Sequence, residues 1–207
     1  MFGLMVFGAL GIYLLLLIGA TSWGYHHAAP EGSSRKIRWL WAGGMFLLVY
    51  LPVFWDWIPT IVMHQYYCAT DAGFWVYKSV EQWEEENPGV MDTLVNNKGA
   101  PERTALFNNG HGEKHSFFVN KRFNFVVIQQ DVSNLLPIIR TEWTVIDVEL
   151  NETLARYVDF GTGNSVKATI GPPGPLKFWN AVPNCTNGSR NKSLMMEFEH
   201  NIRGKEQ

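Results

Sequence analysis

A membrane-anchored α+β protein is the fold class this sequence predicts: two N-terminal transmembrane helices, then a predominantly antiparallel β domain with one or two short helices. Three observations carry it. From Met1 to Met63 only Glu31, Arg35, Lys36, Arg38 and Asp56 are charged, and every other charge of the 207-residue chain follows His64. That first part contains two long apolar runs. Beyond Lys114 the texture becomes aromatic and β-branched, with turn residues between short runs.

The first run, Phe2 to Ala20, is almost wholly apolar and close to the roughly 20 residues a helix needs to cross a bilayer core. A signal peptide would want positive charge before the run and a small-residue cleavage site after it. Met1-Phe2-Gly3 supplies no such charge. The second run starts at Trp39 and continues through Trp55-Asp56-Trp57 to Met63, so a helix there spans even if it tilts or ends near Pro59. Trp39 and Trp41 at one end, and Trp55 and Trp57 at the other, match aromatic belts at the two interfaces. Residues 1–63 are thus an anchor with a connecting loop over 21–38.

Arg35, Lys36 and Arg38 stand hard against the second run, whereas the stretch after Met63 is acidic apart from Lys78. The positive-inside rule puts the loop in the cytoplasm. The N-terminus and residues 64–207 then lie outside, which for a bacterial inner membrane is the periplasm. Both cysteines, Cys68 and Cys185, fall in that region, where an oxidising compartment permits a disulfide between them. In the chain-entropy view such a long closed loop contributes on the order of 4 kcal/mol.

In the outer domain, Val76, Val80 and Trp83 recur at helical spacing, predicting a helix over Phe74–Asn87 with Asp71 as its cap and Asn87-Pro88-Gly89 as its stop. Glu84, Glu85 and Glu86 sit at its C-terminal end, where the dipole favours cations; a solvated acidic face is the reading, a basic partner the alternative. A short helix is expected over Val90–Val95, and loop from Asn96 to Glu113. Strands are expected at Phe117–Val119 and Phe123–Gln129, then at Ile138–Leu150 and Leu154–Phe160. The apolar phase of the third switches from Trp143 and Val145 to Ile146, Val148 and Leu150, which calls for a bulge or bend. Gly171-Pro172-Pro173-Gly174-Pro175 reads as a rigid connector, with weak final elements at Leu176–Trp179 and Ser193–Phe198. The whole makes a sheet of four to six strands.

With 17 Lys+Arg against 19 Asp+Glu, a net charge of −2 leaves no basic excess for a nucleic-acid backbone, so sequence-independent nucleic-acid binding is not expected. Phosphate-loop, dinucleotide, nucleophile-elbow and CxxC signatures are missing from the sequence, so the reading leans away from an enzyme. The most enzyme-like cluster is His111, Glu113 and His115. In an extended segment these share a face and offer ligands to a divalent metal, although the bland reading is an exposed hairpin arm. Asp56 invites a proton-relay or subunit-pairing role if deep in the bilayer. About 17 residues from Trp39, roughly 26 Å along a helix, it reads as interfacial. Gly8, Gly11, Gly19, Gly43 and Gly44 could let helices pack closely. His64 to Cys68 reads as a juxtamembrane aromatic collar, and His26-His27 as incidental. Asn151, Asn184, Asn187 and Asn191 open glycosylation sequons, relevant only in a secretory eukaryotic context. The expected function is an integral inner-membrane interaction module that presents its disulfide-stabilised outer domain to another envelope protein or an incoming macromolecule. Its alternatives are an outer-face metal-dependent hydrolase or metal-binding protein and an accessory subunit of a membrane complex.

Overall fold

The computed structural model describes residues 2–28, 30–97, 101–162, 182–185 and 187–204. The chain divides into two compact units, Met1–Ile58 and Pro59–Gln207.

In the first unit, α1 (Phe2–Trp23) runs into a π-helical turn, Gly24–Ala28, and α2 spans Arg35–Phe54. By length and composition the segments Phe7–His27 and Arg35–Phe54 can cross a membrane. Only 6% of either window is buried, unlike the core helix of a soluble protein. The two helices are joined by the Tyr13 hydroxyl, which donates to the Val49 carbonyl at 3.2 Å, and by Tyr13 edge-on to Phe54. The π-helical turn packs tightly on α2 at Gly24, where a Cβ would stand 2.7 Å from Met45 Cγ and 2.9 Å from the Trp41 carbonyl oxygen. The five glycines expected to serve this purpose have nothing within 4 Å and face open space instead.

The second apolar run is not one helix. Pro52 lies in the last turn of α2, and the chain turns at Trp55-Asp56 before α3 (Trp57–Thr70) begins. Proline removes a backbone donor, which a helix interior needs and a first turn does not. Pro59 accordingly sits inside the first turn of α3, which continues seven residues beyond Met63. Asp56, in the break, is 2% exposed.

In the second unit a six-stranded antiparallel sheet has the order β1-β6-β5-β4-β3-β2, with β1 Gly73–Val76, β2 Arg103–Phe107, β3 Gly112–Phe118, β4 Phe123–Asp131, β5 Ile138–Asp147 and β6 Glu152–Thr162. Three expectations need correction. Residues 73–76 are strand, not the start of a helix; the helix α4 is only Val80–Glu86, and its cap is Ser79 in a reciprocal capping box with Gln82, not Asp71. Its acidic end is partly neutralised, since Lys78 reaches Glu86 at 2.8 Å and Glu152 at 2.6 Å. Second, β2 lies within the stretch read as loop. Its residues are mostly exposed and carry no inward apolar alternation, so period two had nothing to register; the hairpin turn Asn108-Asn109-Gly110, all at positive φ, falls where turn residues predicted it. Third, Ser193–Phe198 belongs to a full helix, α5 (Gly188–Asn201), whose Met195 and Phe198 enter the core. The expected helix at Val90–Val95 is a single 3-10 turn, Met91–Thr93. The connector 171–175 and the element at 176–179 lie outside the described residues.

The register shift expected from the phase switch is present between Val145 and Ile146, with Leu154 of β6 as the extra residue. Its side chain is fully buried, and its carbonyl, released from the ladder, accepts the amides of Tyr77 and Lys78 at 2.8 and 3.2 Å. The bulge thereby ties β6 to the end of β1.

The main core gathers Trp83, Leu94, Phe123, Phe125, Val145, Leu154, Tyr157, Met195, Phe198 and Ile202. At its edge, Arg122 Nε meets both Asp147 oxygens at 2.9 and 3.0 Å, with the guanidinium over the Trp83 ring and Trp83 Nε1 donating to Asp147 at 2.8 Å. Burial would raise the Asp147 carboxyl, but the bonds from Arg122, Trp83 and the Leu150 and Glu149 amides outweigh it and hold it below the usual carboxylate range.

Replacing Asp147 by Asn leaves Arg122, 6% exposed, without its buried counter-charge and is expected to cost about 3–5 kcal/mol in denaturant unfolding at pH 7. Because the folded value is depressed, that stabilisation is complete above the ordinary carboxylate value near 3.9 and disappears as pH falls through the lower folded value. The gap between wild type and variant should therefore narrow only in acid.

Candidate functional site

On α3, His64 and Cys68 lie one helical turn apart, so both face the same way. They point at the end of β6. Cys68 is bonded to Cys185, with Cα atoms 5.3 Å apart across 117 residues of sequence, as the cysteine count allowed. Tyr67 stacks on Phe160 with ring centres 5.2 Å apart, and Met63, Ala72, Ile138 and Val158 complete a second small core around the bond.

His64 is 4% exposed. Its Nε2 is 3.1 Å from the Phe160 carbonyl oxygen, and its two nitrogens are 3.6 and 3.9 Å from Cys68 Sγ. A carbonyl can only accept, so Nε2 is the ring nitrogen that carries a proton toward Phe160. Imidazole and the two sulfurs come within 4.8 Å of one another, but sulfurs bonded to each other offer no thiolate to a metal.

Asp159, 3% exposed, organises the other wall. One carboxylate oxygen accepts the amides of Phe160 and Cys185 at 2.9 and 3.2 Å; the other accepts the Tyr157 hydroxyl at 2.8 Å. The same carboxylate sits against the first residue of α5, where helix amides and dipole favour negative charge: a Cβ on Gly188 would be 2.6 Å from its Oδ2. Burial first, and the Asp159 hydrogen bond and charge second, push the Tyr157 phenol well above its ordinary range. Thr162 Oγ1 accepts the Val182 amide at 2.6 Å, fixing the start of the segment that carries Cys185.

Between these walls lies a half-open cavity of about 620 Å³, lined by His64, Cys68, Asp159, Cys185, Asn187 and Asn191 among others. No family model, curated protein or solved structure matches this chain. The reading of this cavity therefore rests on its own chemistry. Apart from Asp159 and His64 its polar lining is amide, from Gln65, Asn184, Asn187 and Asn191.

The residues singled out in sequence lie elsewhere, the disulfide excepted. His111 precedes β3 in a non-extended conformation and pairs with Asp131 at 2.8 Å. His115, within β3, contacts Glu102 at 2.7 Å and Glu113 at 3.1 Å. Each histidine thus has its own carboxylates, and among the described residues no group gathering three ligand atoms within 4.8 Å includes His111, Glu113 and His115. Asp159 and Tyr157 carried no sequence signal beyond sitting in a strand. The His64–Cys68 spacing of four on a helix was the one available clue.

Because Asp159 is held by three donors, it cannot yield to a side chain at Gly188. The Gly188→Ala substitution is expected to destabilise the protein by about 1–3 kcal/mol in denaturant unfolding of the disulfide-intact chain.

Proposed function

We propose that this chain is an integral protein of the bacterial inner membrane that presents its disulfide-closed domain on the periplasmic side, to another envelope protein or an incoming macromolecule. The observation that carries this reading is the start of α2. Arg35, Lys36 and Arg38 occupy its first turn, with no acid among them, where the helix dipole favours anions. In water that placement is a misfit. At a cytoplasmic leaflet, anionic headgroups supply the missing counter-charge and the positive-inside rule is met. The largely exposed apolar windows of both helices are likewise costly in water and ordinary in lipid.

A second reading, an accessory subunit of a membrane complex, is favoured by one observation. Gly8, Gly11, Gly19, Gly43 and Gly44 each have open space where a Cβ would stand, a surface that admits close approach of another helix.

Proteinase K added to intact spheroplasts should degrade residues 64–207 while sparing an anchor-sized fragment; complete protection of the domain overturns the sidedness. For the second reading, Gly11→Leu should abolish a higher-mass species in mild detergent with helix content unchanged, whereas a monomeric wild type removes its basis.

A further inference from the structure

We propose that Cys68–Cys185 is an exchangeable disulfide that accepts two electrons from a small dithiol, with His64 protonating the departing Cys68 sulfur. A bond serving only as a clamp is best shielded. This one forms part of the wall of a half-open cavity, whose volume of about 620 Å³ is in the range that takes small molecules.

The chemistry follows from the neighbours of each sulfur. A thiolate of the dithiol attacks Cys185 Sγ; a sulfur–sulfur bond forms there and the bond to Cys68 breaks, its electron pair leaving on Cys68 Sγ. That sulfur is the better placed leaving group, because the His64 ring lies beside it and can pass it a proton as the bond breaks. Nε2 is 3.6 Å from Cys68 Sγ but is engaged by the Phe160 carbonyl at 3.1 Å, so the transferable proton is the one on Nδ1, 3.9 Å from that sulfur. The second thiolate of the dithiol then attacks the mixed disulfide at its own sulfur. It departs as a cyclic disulfide and leaves Cys185 reduced.

The surroundings allow the cycle to close. After cleavage the Cys185 segment stays attached through Val182 to Thr162 and through the Cys185 amide to Asp159, so both sulfurs remain in place for re-oxidation. The charged and titratable groups facing the bond through the cavity are few: His64 from α3 and Asp159 from β6, while α5 contributes the amides Asn187 and Asn191. Asp159 already accepts three hydrogen bonds, which leaves His64 as the proton source.

The test uses the full chain in detergent micelles, with dithiothreitol as the dithiol and near-UV circular dichroism to confirm the fold. Dithiothreitol should reduce the bond in the folded protein. Alkylation of the reduced chain at varied pH, read by peptide mapping, should show Cys68 titrating at least about one unit below the ordinary thiol value near 8.5. In His64→Gln, which keeps a donor for the Phe160 carbonyl but no titrating ring, the Cys68 midpoint should return to about that value. Reduction only after unfolding overturns the proposal, as does an ordinary Cys68 midpoint in the wild type, which decides the matter even if the variant fails to fold. A midpoint equally depressed in a folded His64→Gln removes the histidine from the mechanism. Since the measurements are made on purified chain, they stand or fall separately from the membrane sidedness.

Discussion

One buried carboxylate holds the second unit's closing elements in register. Asp159 accepts from its own strand, from the Tyr157 hydroxyl and from the Cys185 amide, and it faces the first turn of α5. A charge this deep persists only when its lone pairs are satisfied. Satisfying them requires that β6, the segment before α5 and the helix itself meet at one point. The disulfide, the glycine at the helix start and the cavity wall are all consequences of that meeting.

A second polar node does for the opposite end of the sheet what Asp159 does for this one. Arg122 and Asp147 meet at the β4–β5 end, where the pair braces Trp83 of α4 and, through the Arg122 contact with Asn87, the exit of that helix. Between the nodes the core is apolar and aromatic, with Phe117, Phe125, Trp143 and Tyr157 packed ring to ring across four adjacent strands. The apolar middle supplies the burial, and the two ionic ends fix which helix lies where.

How much of this was legible in sequence depended on whether an element had a one-sided apolar pattern. Strands β4, β5 and β6 carry aromatic and β-branched runs bounded by turn residues, which makes them legible, and the change of phase at Val145 marks the β5–β6 irregularity. Strand β2 is exposed on nearly every residue and had no pattern to read. In 73–86, four strand residues and a seven-residue helix together mimic helical spacing because Val76, Val80 and Trp83 are apolar for two different reasons: sheet edge and helix core. Helix α5 is polar through its first turns and shows apolar spacing only late. At the candidate site the disulfide was visible because only two cysteines exist. His64 and Asp159 were not, since burial of a polar side chain is set by what folds over it.

The strand order also has a consequence for biosynthesis. Strands β2 to β6 follow one another as neighbours, so each can zip onto its predecessor as the polypeptide lengthens, whereas β1 must wait for β6. Cys68 waits longer still, its mate being made 117 residues later, an interval on the order of ten seconds at about 5–20 residues per second of translation. Throughout that interval the nascent chain carries a lone thiol beside an imidazole on a helix whose packing partners do not yet exist. The link between them can form only after Cys185 itself has been made.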